Sequence, residues 1–311
     1  MNTKHTTVSI IIPAFNATET LPRCLDSVLY QNYPADNINI HIVNDGSTDN
    51  IDDVLQKFSL PRHFKIHTHK TNQGLSAARN TGITNSGGEI IIFLDADMEV
   101  SPNFVKNHVQ MHKRSNVVGV LSALLPAPEN PIDKYQKYLY RSKRGAQKYP
   151  PLAPLPFHVF ILGITSVKRF AISESGGFDY KISSYGGEDT EFAYRLWQKY
   201  PQGLFYAPHI KVIHHHYRPF NEVLNNVRTF GQDVVPYLVQ KHPEFDRLYG
   251  YSFIYPPSTL SGLLKKVAGT VLKSKITFSI LKLLYHLSPY PISNRFIRLL
   301  LASALWQGIA G

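Results

Sequence analysis

The sequence predicts an α/β protein with a mostly parallel central sheet flanked by helices and a helical C-terminal tail, and three observations carry that reading. Strand-length segments recur at residues 8–12, 38–43, 64–68 and 89–94, the first and last of them strongly apolar. The first three of these are each followed by a polar loop and a segment with helical spacing, the pattern of a parallel sheet covered by helices. The chain closes on residues 251–311, which are apolar, hold seven Lys or Arg and lack Asp and Glu altogether.

Taken in order, residues 8–12 read as a buried strand, and Pro13-Ala14-Phe15-Asn16 as a turn. A helix over 20–29 follows, where Leu21, Leu25, Val28 and Leu29 recur at helical spacing. The strand at 38–43 stops at Asn44-Asp45-Gly46-Ser47-Thr48-Asp49, with a helix over 50–58. The strand at 64–68 precedes Asn72-Gln73-Gly74 and a helix over 75–86, and 89–94 is the fourth strand. Beyond it come a helix at 102–112, a strand at 117–125 and a turn at Pro126-Ala127-Pro128. Residues 131–157 mix aromatic and basic groups, and read either as a segment lining an acceptor site or as a solvated insertion. Residues 157–167 read as one strand with Gly163 inside it, and Phe192, Leu196 and Trp197 imply a helix from Glu188. Residues 212–216, ending in His214-His215-His216, read as a strand or strand end.

Composition bounds the function. With 43% apolar and 18% charged residues the chain is folded, and 311 residues suffice for one large core or two modest domains. The single cysteine, Cys24, excludes an internal disulfide framework and offers no zinc-finger spacing. The first residues lack the apolar length and cleavage site of a signal peptide, so the active part is expected on the cytoplasmic side. Of the formal charge of +11, the last 61 residues carry +7. Because that charge is interleaved with Leu, Ile, Phe, Tyr and Trp, it favours an anionic membrane surface over nucleic acid.

The carboxylates carry the chemistry. Asp95-Ala96-Asp97 ends the buried run at 89–94, where paired like charges are costly to desolvate unless a cation or donor compensates. A divalent cation holding a phosphorylated ligand would resolve that conflict. Asn16, Asp45, Gln73, Arg79, Asp95 and Asp97 all fall at or just beyond strand carboxyl ends, where parallel sheets bind ligands. A second acidic cluster, Gly186-Gly187-Glu188-Asp189-Thr190-Glu191, either caps a helix or supplies a general base. Asp189 is the better candidate base, with Glu188 orienting it or meeting the acceptor. Strand alternation puts His214 and His216 on one face, as candidate ligands for a divalent ion or as a polar strand end.

The segments 8–16, 43–49 and 72–80, then Leu94-Asp95-Ala96-Asp97 and the 186–192 cluster, resemble in this order the motifs of family 2 glycosyltransferases with the GT-A fold. The resemblance covers roughly residues 7–217 and implies an inverting transfer of a sugar from a nucleotide-diphosphate donor. It implies that Asp45 and the backbone of Pro13, Ala14, Phe15 and Asn16 meet the nucleobase, and that Arg79 lies near the nucleotide. It further implies that Asp95, with Ala96 beside it, sits near the ribose or donor sugar. Asp97 then holds Mn2+ or Mg2+ on the diphosphate with His214 or His216, and Asp189 is the base. A UDP-sugar donor is favoured by the same resemblance, while the expected membrane attachment of the tail suggests a saccharide or lipid-linked saccharide acceptor.

The expected organisation is a catalytic domain over 1–250, with a nucleotide half at about 7–100 and an acceptor half at about 101–250, and a basic amphipathic region over 251–311. Residues 274–287 and 296–309 read as interfacial helices, too interrupted to span a bilayer. That places the protein peripherally at the cytoplasmic face of a membrane. The alternative is that these helices cover the core or form a homo-oligomer surface. Two other functions compete: a nucleotide-sugar-binding module without chemistry, and a basic nucleic-acid binder. No nucleic acid partner is expected, because the charge lies in the tail and not in a basic stripe.

Overall fold

The computed structural model describes residues 5–58 and 61–311, so the part of the leader reading that rests on residues 1–4 lies outside the described residues. In chain order the strands are β1 (Val8–Ala14), β2 (Ile38–Asn44), β3 (Phe64–Thr68), β4 (Ile90–Leu94), β5 (Met98–Val100), β6 (Gly119–Pro126), β7 (Ile164–Lys168) and β8 (Leu204–His214). The first helices are α1 (Leu21–Leu29), α2 (Ile51–Lys57), α3 (Leu75–Asn85), α4 (Phe104–His112), α5 (Lys134–Arg141), α6 (Arg169–Ser175) and α7 (Glu188–Lys199). They continue with α8 (Phe220–Asp233), α9 (Val235–Lys241), α10 (Asp246–Tyr249), α11 (Leu260–Lys273), α12 (Lys275–Leu287) and α13 (Ser293–Ala310).

The chain forms two compact units. The first runs to Asn130 and adds Lys143–Ser183 and Glu188–His216; the second comprises Pro131–Ser142, Ser184–Gly187 and Tyr217–Gly311.

In the first unit one sheet has the order β3-β2-β1-β4-β7-β6-β8-β5. Strands β3, β2, β1 and β4 are parallel neighbours. Every residue of β1 and β4 is buried, as expected of strands covered on both faces and of sequences as apolar as Ile10-Ile11-Ile12 and Ile90-Ile91-Ile92. Beyond β4 the sheet turns mixed: β7 runs antiparallel to β4 and β6, β8 parallel to β6, and β5 antiparallel to β8. The sheet is thus mixed, with four parallel strand pairs against three antiparallel ones among the described residues, and three of the parallel pairs lie in its first half.

Three further departures from the sequence reading have local causes. Residues 157–167 do not form one strand, because Gly163 takes φ +96° and breaks the run; β7 begins only at Ile164. Strand β5 has three residues, too few for a periodic signal, yet it pairs Met98 with His214 and so fixes the neighbourhood of Asp97. Within β8 the pairing to β6 jumps from Ser122 with Ala207 to Ala123 with Lys211, which leaves Pro208, lacking an N–H, in the bulge.

The second unit is helical. Its core joins Tyr135 of α5, Phe220 and Leu224 of α8, Leu281 and Tyr285 of α12, and Ile297, Leu300 and Ala304 of α13. Helices α8 and α13 approach closely through glycine: a Cβ on Gly231 would lie 2.4 Å from the Leu305 carbonyl oxygen, and one on Gly308 2.1 Å from that of Arg228. Helix α13 is therefore a core helix, which corrects its reading as interfacial. Residues 131–157 contribute α5, whose cap Asp133 accepts from the Gln136 N–H at 2.7 Å and from the Tyr217 hydroxyl at 2.9 Å.

Candidate active site

The carboxyl ends of β1 and β2 are stitched into a wall by side-chain bonds to loop backbone. Pro13 and Ala14 finish β1 buried, while Phe15 is open to solvent. Asn16, with φ +50°, uses Oδ1 to accept from the Thr48 N–H at 2.8 Å, and its own N–H donates to the Ser47 hydroxyl at 3.0 Å. Asp45 is buried; its Oδ1 accepts from the Gln73 N–H at 3.0 Å and its Oδ2 from the Gly74 N–H at 2.9 Å. His69 Nδ1 lies 2.6 Å from the same carboxylate. Gly46 must be glycine here, since it has φ +69° and a Cβ would meet the Thr71 carbonyl carbon at 2.3 Å.

Arg79 stands at the centre. It lies on the buried face of α3 at 1% exposure, an expensive place for a guanidinium unless carboxylates answer it. Nη2 donates to Asp95 Oδ1 at 3.1 Å, and Nη1 to Asp189 Oδ1 at 2.6 Å and Glu188 Oε1 at 3.2 Å. One cation thus gathers carboxylates from the end of β4 and the first turn of α7. Three acids on one base leave an excess of negative charge. Burial and the charge of Asp189 raise the Glu188 carboxyl above the ordinary glutamate range. Burial, together with Asp97 and Asp189, lifts Asp95 to about 6 although Arg79 opposes it.

The segment before β7 holds both sides of this cluster, and the sequence reading missed it. Leu162 N–H donates to Asp189 Oδ2 at 3.0 Å, while the Gly163 carbonyl accepts from the Asp95 N–H at 2.9 Å. A Cβ on Gly163 would stand 2.2 Å from Asp95 Oδ2. A lone glycine inside an apolar run was the available signal.

Asp97 forms a second focus beside the first. Its Oδ2 lies 3.1 Å from His214 Nε2, and its carbonyl accepts from the His215 N–H at 3.0 Å. The rings of His214 and His216 are 6.2 Å apart. His215 pairs instead with Glu99 at 2.7 Å and Glu129 at 2.9 Å, which matches strand alternation. Burial, the largest single influence, works against the Asp97 charge, but the hydrogen bond and charge of His214, the charge of His216 and a backbone hydrogen bond together hold this carboxyl below the usual aspartate range. Asp97 Oδ1 is buried without a hydrogen-bond partner. Among the described residues no group of three His, Cys, Asp or Glu is disposed to hold a metal ion by itself. One carboxylate with an open oxygen and an adjacent imidazole nevertheless fit a cation that takes its other ligands from phosphate and water.

A mixed sheet flanked by helices, with carboxylates gathered at its edge and a helical C-terminal region, is the GT-A architecture. The model of the family "Glycosyl transferase family 2" matches residues 9–176, more than half of the chain, and the chain belongs to that family. It is similar to the glycosyltransferase GlyA of Streptococcus pneumoniae, 39% identical over 99 residues that make 32% of this chain and 14% of that protein. Similarity extends to the glycosyltransferase AglE of Haloferax volcanii, 40% identical over 29% of this chain and 30% of that protein. The matched stretches thus span less than a third of either relative.

Among solved structures, a mannosyltransferase from Pyrobaculum calidifontis in complex with GDP-Man and Mn2+ superposes with a TM-score of 0.64 at 17% identity, covering 97% of this chain and 87% of that one. TarS of S. aureus does so with a TM-score of 0.56 at 14% identity, covering 97% and 90%. At such identities the likeness is one of fold.

Proposed function

We propose that this protein is an inverting glycosyltransferase that moves a sugar from a nucleotide-diphosphate donor to a saccharide or lipid-linked saccharide. The observation that carries this reading is the single guanidinium of Arg79 between Asp95 and Asp189. It keeps the carboxylate read as donor-side and the one read as acceptor-side in one hydrogen-bonded cluster, with Asp97 two residues from the first.

The roles follow from chemistry. Asp45 and the Pro13–Asn16 turn form the wall for the nucleobase, with a uridine diphosphate sugar as the favoured donor. Asp95 faces the ribose or sugar. Asp97 with His214 or His216 would hold Mn2+ or Mg2+, which supplies charge neutralisation to the diphosphate leaving group when bound. Asp189 removes the proton of the acceptor hydroxyl as that oxygen attacks the anomeric carbon. Its bonds to Arg79 and Leu162 fix its direction and leave lone pairs for the acceptor. Glu188, raised toward its neutral form, limits the repulsion Asp189 would meet. One displacement inverts the anomeric centre.

On this reading residues 1–250 carry transfer, with nucleotide and acceptor halves dividing near residue 100, and residues 251–311 hold the enzyme peripherally at the cytoplasmic face of a membrane. The test is Asp189→Asn, followed by transfer assay and nucleotide titration with manganese. Transfer is expected to fall about a thousandfold while donor binding persists. Comparable rates for variant and wild type would remove Asp189 from the base role.

A further inference from the structure

Helices α11 and α12 leave apolar faces uncovered. In α11, Leu260, Leu263, Leu264, Val267 and Val271 are each more than half exposed, at the spacing of a single helical stripe. The buried residues of α11 are Gly262 and Gly269, with Leu272 packed against the core, and a Cβ on Gly269 would meet the Phe253 carbonyl oxygen at 2.1 Å. In α12, Ile276, Ile280, Leu283 and Leu287 repeat the pattern, while Leu281 and Tyr285 face the core. Among the described residues no helix is long and apolar enough to cross a membrane.

We infer that the outward faces of α11 and α12 form a docking surface for an anionic phospholipid bilayer, with aliphatic side chains entering the interface and lysines meeting head groups. Charge selects this occupant over a second copy of the chain. Lys266 and Lys275 are exposed, Lys273 and Lys275 flank the one-residue joint between the helices, and residues 251–311 contain no carboxylate. Pairing this surface with itself would set lysine against lysine with no side-chain anion from this stretch to answer. An anionic bilayer supplies both the missing counter-charge and an apolar medium for the stripes. The inference deepens the membrane-proximal part of the proposed function and is independent of the transfer chemistry.

Flotation of the full chain with phosphatidylcholine vesicles, with and without phosphatidylglycerol, tests it. Wild type is expected to bind the anionic vesicles about tenfold more tightly than the neutral ones. Leu264→Glu with Ile280→Glu should lower that binding by about tenfold or more, and Lys266→Glu with Lys275→Glu should remove the anionic preference. Both aliphatic positions are exposed, so the fold should tolerate the change; if the charged pair does not accumulate, Leu264→Gln with Ile280→Gln gives the same readout in milder form. Wild type that ignores both vesicles, or an aliphatic variant that floats as wild type does, overturns the inference. So does a dimer in light scattering that the aliphatic variant dissolves while vesicles go unbound. Nucleotide titration of the same variants keeps the two readings apart: intact donor binding without flotation sinks the docking surface alone, and flotation without any nucleotide response sinks the transferase alone.

Discussion

The two units break the ordinary rule of burial in opposite directions. The first hides charge: Arg79 is 1% exposed, and its partner Glu188 has a side chain 8% exposed. The second displays apolar surface, with Leu260 at 80% and Ile276 at 73% exposure. Elsewhere both cores are conventional, from the isoleucines of β1 to the α8 and α13 contact. Under the proposed function and the inferred docking surface, each departure is completed from outside the chain, the clustered carboxylates by a cation and a ligand and the exposed leucines by an apolar medium.

Removing one positive charge from each unit is the strongest way to break this comparison. Arg79→Met leaves Asp95, Glu188 and Asp189 facing each other without their common partner. It is expected to cost about 3–5 kcal/mol in chemical denaturation and to end transfer. Lys275→Met, on the exposed start of α12, should stay within about 0.5 kcal/mol of wild type. Equal costs would mean that Arg79 is no more than another surface-like cation, and the buried cluster would lose its organising role.

Strands β1 and β4 were legible because they are covered on both faces and read as nearly continuous apolar runs, whereas β3, mostly exposed, was legible only as a short segment between polar loops. Residues 64–68 and the start of the helix at Glu188 match the observed bounds. The carboxylates were legible as types at strand ends, but their company was not. No spacing rule brings Arg79 to Asp189 across 110 residues, because that contact depends on how α3 and α7 pack against the sheet. Asp45 illustrates the same limit: its place at a strand end was legible, but its bonds to the Gln73 and Gly74 amides and to His69 were not. Helix α13 was misread because a stripe of Ile297, Leu300 and Ala304 looks the same whether lipid or α8 covers it.

Gly163 tests a contact the sequence hid. Gly163→Ala introduces a methyl at φ +96°, 2.2 Å from Asp95 Oδ2. The strain should cost about 1–3 kcal/mol, and displacement of Asp95 should weaken nucleotide binding as well. Gly145 is the control. It also has positive φ, +51°, but a Cβ there meets nothing within 4 Å. Gly145→Ala should cost about 1 kcal/mol and leave the nucleotide titration unchanged. If both variants bind nucleotide as wild type does, Gly163 does not position Asp95.

The proton on Glu188 gives an effect that appears only as a pH dependence. Its folded-state carboxyl is raised above the unfolded value by burial first and then by Asp189, with Arg79 opposing. A raised carboxyl holds its proton in the fold at pH values where the unfolded chain has released it. Its contribution to stability is therefore complete below the unfolded value of about 4.5 and is lost as pH rises through the folded value. Glu188→Gln removes the titration and keeps the shape. Between pH 5 and 7 wild type should lose stability relative to this variant, by at most about 1.4 kcal/mol per pH unit and less wherever other groups titrate in the opposite sense. Denaturation midpoints of the two proteins across that range provide the measurement. Parallel curves would mean that Glu188 is ionised throughout, so that Arg79 balances both members of the α7 pair, and the contrast between the units would then rest on charge compensation without a shared proton.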